Sequence, residues 1–502
     1  MEKINTQDTH SKLIHADQVI FASNRGLFEH YIQPDHTLSQ RQSAGGMVTA
    51  LAEVAAIMNA TWIAMTITEG DRLFLKMAQQ RGDNAQDYAN NQTMRLKYVT
   101  VPEETFRKHY EIISTELLWF TQYYMHHVVD GLRSSQEISD AWGNGYYAVN
   151  QAIADAVCAE IAAKVGTSVV MLQDAFLCLA ASMIRKRYAS VVIQQFIHWP
   201  WPEGRYWCLL PSFITKDIYR GLLGNDIVGF QTEHDVHSFL DGVRTIVDEA
   251  SLDFQASEVW LHGHRTLVRA YPISISVAEE RNIVGSAAGK RETKNIEPFL
   301  EKKIIMRVDR IDPVKNILPG FQAYAQLLDE HPEFLNEVTF LAFLVPTRET
   351  VPLYQRYKAE VHQIIDEINQ KYGSNAWTPI HAFYGNDRTR ALVALQFYDV
   401  LLVNPMIDGM NLVAKEGATL NQRNGVLVLS RTAGTFAELR EASIPISPKS
   451  QAETAHALYQ ALVLPLAERR EMAAQARKIV ELHTLQDWIT HQIHDINELL
   501  AQ

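Results

Sequence analysis

Cysteine is scarce in this chain. Its three cysteines in 502 residues, Cys158, Cys178 and Cys208, are odd in number and widely spaced, and no Cys-x-x-Cys pair occurs. Neither a disulfide framework nor a thiolate metal site is suggested on that count, and all three are expected to be buried free thiols in a reducing cytoplasm. Long apolar runs are missing too: nothing approaches the ~20 residues of a membrane span. The opening segment, MEKINTQDTHSKLIHADQ, has no apolar signal core, so a cytoplasmic protein is expected. Positive charge is in deficit, with 46 Lys and Arg against 58 Asp and Glu and a formal net charge of −12. That balance disfavours nucleic acid or an anionic membrane as the main partner, while leaving room for a local basic pocket that takes a small anion. No Asp-x-Asp occurs, so a metal held by such a pair on a nucleotide diphosphate is not indicated. Internal repeats, low-complexity tracts and charge runs are also absent.

What is present is a soluble globular composition, 47% hydrophobic and 21% charged, in a chain long enough for two or three domains. Short apolar runs alternate with helical patterns: QVIFAS, then SAGGMVTALAEVAAIM, TWIAMTI, TSVVMLQD, FLCLAASMIRKRY, SVVIQQFIHWP, NDIVGFQT and EHDVHSFLDGVRTIV. Strand alternating with helix predicts a doubly wound parallel α/β sheet. The rhythm restarts at KKIIMRVDR and runs through VTFLAFLV, DVLLVNP and GVLVLS, so a second α/β domain is expected, with the boundary near Ser274 to Val277. We divide the chain into residues 1–275, 276–480 and a terminal helix within 481–502. That helix is capped at Thr484 and can pack on either domain, the N-terminal one included.

In open parallel sheets, ligands bind beyond the carboxyl ends of the strands. Reading the residues just after each apolar run gives Arg25, Asp174, His198, Arg307, Arg310, Lys315, Arg348 and Asp408. Gly45 and Gly46 open a helix whose N–H groups favour an anion, though a glycine pair is more often a conformational device. His198 before WPWP reads equally as a core histidine. Arg307, Arg310 and Lys315 form a cation cluster, either a solvated face or a diphosphate site. Asp408 can bind sugar hydroxyls or cap the helix that starts around Gly409, Met410, Asn411 and Leu412. Glu416, two turns on, can accept from a ribose hydroxyl pair.

Taken together, SNR at Ser23 to Arg25, SAGG at Ser43 to Gly46, HYEIISTELLW, IHWPWP, GLLGNDIVGFQTEHD, VDRIDPVKN, VPTRETVPLYQ and DGMNLVAKE resemble the trehalose-6-phosphate synthase family of retaining glycosyltransferases. The resemblance implies the GT-B fold, two Rossmann-like domains facing a central cleft, the first for the acceptor and the second for a nucleotide sugar. It implies that Gly45, Gly46, Arg310 and Lys315 hold the donor diphosphate near the helix start at Gly409 to Leu412. His198 and Asp408 would then meet the donor sugar, and Glu416 the ribose. Arg25, Tyr110, Trp119 and Arg348 would hold the acceptor's phosphate, and Asp174 its sugar. Arg310, Lys315, His198 and Asp174 would carry catalysis. No metal or other cofactor is implied beyond the nucleotide sugar as co-substrate, the partners are small molecules, and the oligomeric state, including a homo-oligomer, stays open.

The chain also departs from that pattern. Gln173, Ala175 and Phe176 stand where relatives carry His, Tyr and His of an HDYHL segment, which opens space and removes a polar contact on the acceptor side. Ile407 stands where relatives carry Arg. The leading expectation is transfer of glucose from a nucleotide diphosphate glucose to a phosphorylated sugar or polyol. Other readings are a glucosylglycerol-phosphate synthase, a pseudoglycosyltransferase of the validamycin-pathway kind, and a non-catalytic sugar-phosphate sensor. Retention of His198, Arg310, Lys315 and Glu416 argues against the sensor. The segment HAFYGNDRTR offers no unambiguous base reader, so UDP, ADP and GDP remain open as carriers.

Overall fold

The structure, a computed structural model, describes residues 13–42, 51, 55, 58, 60–80 and 95–502. The Gly45–Gly46 turn lies outside them. The chain forms two compact units, the first from residues 1–272 and 488–502 and the second from residues 273–487.

In the first unit the strands are β1 (Gln18–Ser23), β2 (Phe28–Ile32), β3 (Leu38–Gln42), β4 (Thr61–Met65), β5 (Arg95–Val99), β6 (Ser168–Gln173), β7 (Val192–Phe196), β8 (Ile227–Phe230), β9 (Ser251–Asp253), β10 (Glu258–Leu261) and β11 (His264–Ala270). Among the described residues, nine of them form one sheet in the order β5-β4-β1-β6-β7-β8-β11-β10-β9. It is parallel from β5 to β11, with β9 and β10 antiparallel at the edge. Every residue of β1, β6 and β7 is buried, as expected of strands covered on both faces. The hairpin β2–β3 stands apart from this sheet. Asp71, at the start of helix Glu69–Gln80, ties the hairpin down by accepting the His30 backbone N–H at 2.9 Å and facing His30 Nδ1 at 3.0 Å.

The second unit carries β12 (Lys303–Arg310), β13 (Val338–Val345), β14 (Ile380–Tyr384), β15 (Val400–Val403), β16 (Val426–Ser430) and β17 (Ile444–Ile446). They form a parallel sheet in the order β14-β13-β12-β15-β16-β17. Alternate residues sort onto its two faces. Ile305, Phe340, Ala342, Val400, Leu402, Val426 and Val428 enter one core, while Ile304, Met306, Leu341, Phe343, Leu401, Leu427 and Leu429 enter the other.

Each unit thus starts in the middle of its sheet, builds outward to one edge, then returns to build the other side. The reversal lies between β1 and β6 in the first unit and between β12 and β15 in the second. A crevice opens at such a point beyond the strand ends.

Helix Leu485–Leu500 crosses from one unit's residues to the other's. Thr484 Oγ1 accepts the Asp487 N–H at 3.2 Å and caps it. Trp488, Ile489, Ile493 and Ile496 are buried, and Gln492 Oε1 accepts a 2.8 Å hydrogen bond from Gln194 Nε2 of β7. Asn497 takes the backbone of His15 and Leu13 at 2.9 and 2.8 Å. Cys158 and Cys178 are buried thiols, but Cys208 is exposed, against expectation. It is the residue that ends the short helix Gly204–Trp207, and Leu209 beside it is exposed as well, so the turn there faces outward. Among the described residues no helix is long and apolar enough to cross a membrane.

Candidate functional site

At the first reversal, β1 ends in Ser23, whose hydroxyl donates to the Arg25 carbonyl at 2.6 Å and accepts from Trp62 Nε1 at 2.8 Å. Arg25 follows, half-buried and ion-paired with Glu29. Across the reversal β6 ends in Gln173, and Asp174 takes a left-handed backbone with φ +67°. A non-glycine residue held there is strained and needs its surroundings to fix it. They do: its N–H donates to Phe196 O at 2.7 Å, and its carbonyl accepts Gln195 Nε2 at 3.0 Å. Its Oδ1 accepts the N–H groups of Ala175 at 3.0 Å and His198 at 3.3 Å. One carboxylate therefore locks the ends of β6 and β7 together.

His198 Nδ1 accepts from Gln231 Nε2 at 3.4 Å, which leaves Nε2–H to face Gln173 Oε1, also at 3.4 Å. Burial pushes the imidazole down to about 3, so the ring is neutral at physiological pH. Gln173, one of the departures, is thus a neighbour of His198. Tyr110 lies in a run of widened π-type turns over Lys108–Leu118, a form of helix that recurs at functional sites. Phe176 stacks on Tyr110 with ring centroids 6.1 Å apart and meets Trp199 edge-on at 5.0 Å. Trp199 meets Trp119 at 4.9 Å. Tyr110 and Trp119 are therefore joined through Phe176 into one aromatic wall. Ala175 is fully buried and its carbonyl accepts Tyr146 OH at 2.6 Å, so the exchange of Tyr for Ala falls inside the core.

At the second reversal the cations separate. Arg307, read from sequence with Arg310 and Lys315 as a cluster, is fully buried. It donates to Asp309 at 2.8 and 3.1 Å, to the carbonyls of Lys315 and Ile317 at 3.0 and 3.2 Å, and to Asn404 Oδ1 at 3.3 Å. Arg307 is thereby consumed in shaping the loop after β12, and only Arg310 and Lys315 of the three reach the surface.

Asp312, fully buried, is the hub of that loop. Its Oδ1 accepts the Val314 N–H at 3.2 Å, and its Oδ2 lies 3.3 Å from Arg348 Nη1, 3.4 Å from Tyr354 OH and 4.0 Å from Arg310 Nη2. Arg310 and Arg348 are drawn to one carboxylate; the Arg348 side chain is 5% exposed, its backbone left-handed at φ +49°. Lys315 instead reaches Asp408, and Asn411 Nδ2 donates to the same carboxylate oxygen at 3.0 Å. Asn411, left-handed at φ +74°, precedes helix Leu412–Leu420 without capping it by its side chain. Gly409 and Met410 are held by the Gly434 loop: Gly434 N–H donates to Asp408 O at 3.0 Å and Thr435 N–H to Met410 O at 2.9 Å. Glu416 is half-buried on the same helix, and Ile407 half-buried beside Asp408.

A Cβ on Gly434 would stand 1.8 Å from Gly409 O. G434A is expected to cost about 1–3 kcal/mol by forcing these loops apart. G285A, whose Cβ meets nothing within 4 Å, is the control for a thermal denaturation comparison. An unchanged midpoint in G434A would show that the contact is not tight.

The sequence profile of glycosyltransferase family 20 matches residues 17–498. The chain belongs to glycosyltransferase family 20. It is 29% identical over 478 residues to the alpha,alpha-trehalose-phosphate synthase [UDP-forming] of Schizosaccharomyces pombe, covering 94% of this chain and 88% of that protein. It is 30% identical over 409 residues to the trehalose-6-phosphate synthase of Citrobacter koseri, covering 79% of this chain and 81% of that one. Among solved structures, the E. coli protein described as trehalose-6-phosphate bound with UDP-2-fluoro glucose superposes with a TM-score of 0.81 at 24% identity, over 96% of this chain and 99% of that chain. This family 20 chain therefore has the GT-B fold and is a glycosyltransferase.

Asp312, Tyr354 and Asn404 were not read from the sequence as site residues. An acid directly before Pro-Val-Lys and an amide directly after an apolar run are the signals that could have found Asp312 and Asn404. Tyr354 lies inside a helix and gives none.

Proposed function

We propose that this chain transfers the glucosyl unit of UDP-glucose to glucose 6-phosphate with retention of configuration, giving trehalose 6-phosphate and UDP. The observation that carries the reading is the placement of Arg310, Lys315 and Asp408 at the strand-order reversal between β12 and β15. The names of the relatives support the donor and product, and the matching motifs support the roles.

Negative charge grows on the diphosphate as the anomeric bond breaks, and preorganised donors aimed at that charge lower the barrier. Arg310 and Lys315 supply them, so the reaction proposed needs no metal. The neutral His198 ring donates a hydrogen bond to the donor sugar instead of a proton. Asp408 takes sugar hydroxyls and Glu416 the ribose. Arg25, Tyr110 and Trp119 receive the acceptor's phosphate, and Asp174 takes the acceptor sugar. The acceptor hydroxyl attacks on the face that the diphosphate leaves, and its proton passes to the departing oxygen. No side-chain nucleophile is assigned. We place the enzyme in the cytoplasm, which suits its three unpaired cysteines.

Purified protein incubated with UDP-, ADP- and GDP-glucose against glucose 6-phosphate and glycerol 3-phosphate tests this reading. Nucleoside diphosphate release should be fastest with UDP-glucose and glucose 6-phosphate, persist in EDTA, and yield trehalose 6-phosphate by mass. Faster release with glycerol 3-phosphate would move the acceptor to a polyol phosphate.

A further inference from the structure

Helix Val277–Gly285 packs against the helix that carries Glu416 and brings to it a second carboxyl group, Glu280. Glu280 is 1% exposed and neither of its oxygens has a hydrogen-bond partner. A carboxylate in that state is strongly disfavoured unless it keeps its proton or finds a cation. The cation at hand is weak. Arg388, from helix Arg388–Ala394, stands 3.9 Å from Glu280 Oε1, and its side chain is 43% exposed and also engaged with Glu279 at 3.5 Å. The remaining charges that face Glu280 are Glu416 and its own neighbour Glu279. Helix Ala287–Ile296, which also packs on Val277–Gly285, turns Glu292 toward Arg390 at 2.8 Å instead. A buried acid and a half-buried one with one shared, partly solvated arginine cannot both ionise readily.

We propose that Glu280 is a positioning residue for the sugar nucleotide: it keeps its proton at neutral pH, so that the single charge of the Glu280–Glu416 pair rests on Glu416, where the ribose hydroxyls are accepted. This rests on the ribose role given to Glu416 above. Burial, and after it the charge of Glu416, pushes the Glu280 carboxyl up to about 9, and burial raises Glu416 as well. An acid raised in this way stays protonated from low pH through neutrality and ionises as pH rises through the raised value. Above it a second negative charge repels the Glu416 carboxylate from its place and weakens donor binding. The effect falls on the donor KM, because saturating donor restores the bound state and leaves kcat unchanged.

The donor KM is to be measured from about pH 7 to about pH 10 for wild type, E280Q, its apolar isostere E280M, and E416Q. Uracil loses a proton in the same range and affects all of them alike, so the quantity read is the ratio of each variant to wild type. Wild type should show a rise of about fivefold or more beyond that of E280Q and E280M, neither of which can ionise at this position. E416Q should raise the donor KM at neutral pH. Equal alkaline rises in wild type and in whichever non-ionising variant folds would overturn the inference, as would a wild-type profile with no rise while E416Q impairs binding. An E416Q enzyme with unchanged donor KM would remove the ribose role itself, and the inference with it.

Discussion

Replacing Lys315 by alanine is expected to lower kcat by about two to three orders of magnitude, the cost of removing one preorganised donor from a site where charge develops. Lys315 is 12% exposed and paired with Asp408, and its loop is set by Arg307 holding the Lys315 carbonyl. The cation therefore does not have to be ordered when the substrate arrives, and its loss is felt in the barrier more than in ground-state binding. K315R should recover little, because a planar fork does not reproduce the point charge of an ammonium. K371A is the control, a 58% exposed lysine paired with Asp329, and should turn over within about twofold of wild type. UDP release at saturating substrates reads the effect; a K315A enzyme with near-normal kcat would take Lys315 out of the reaction.

The largest effect on stability is expected at Arg307. R307M keeps the bulk of the side chain while deleting its charge, leaving Asp309, the carbonyls of Lys315 and Ile317, and the Asn404 amide without their donor. Burial already pushes the Asp309 carboxyl up, and the Arg307 charge is the first of the forces that hold it down. Removing one partner of a buried ion pair costs about 3–5 kcal/mol. The thermal midpoint should fall by on the order of 10 °C. R307K, with three donors on a flexible stem, should recover only part of it. A midpoint within a degree of wild type would mean that the loop after β12 holds itself. The two substitutions separate cleanly: Lys315 should cost turnover and Arg307 stability, although both stand within one motif, MRVDRIDPVKN.

That contrast marks how far the sequence could be read. The strands β1, β4, β6, β7, β8, β12, β13, β15 and β16 were visible because each is a short apolar run, and their alternation with helical patterns predicts parallel sheets, whereas β2, β3, β5, β9 and β14 are too mixed or too short to stand out. The ends of β1, β6, β7, β12 and β15 were then legible as places where Arg25, Asp174, His198, Lys315 and Asp408 stand. Which cation turns inward was not legible, because Arg307 is decided by carbonyls and amides 10 and 97 residues away. Glu280 left no trace either. On a helix with Glu279 beside it, it reads as a solvated acid, and only the packing of three helices buries it. Phe176 was visible as a departure, yet its ring contacts with Tyr110 and Trp199 depend on residues 66 and 23 positions from it in opposite directions (176 − 110 = 66; 199 − 176 = 23).

The helix Leu485–Leu500 gives the molecule an order of assembly. The first unit is not contiguous in the chain: its core includes Trp488, Ile493 and Ile496, and its amino-terminal segment is held by Asn497. During synthesis every residue of the second unit, 273–487, is added to the chain before those residues exist. Domains fold as units as they leave the ribosome, the earlier ones usually first. Here the sequence inverts the custom: the half that begins first must wait for the half that begins second, with β7 lacking the Gln492 contact and the Trp488 ring until the second unit has been synthesised.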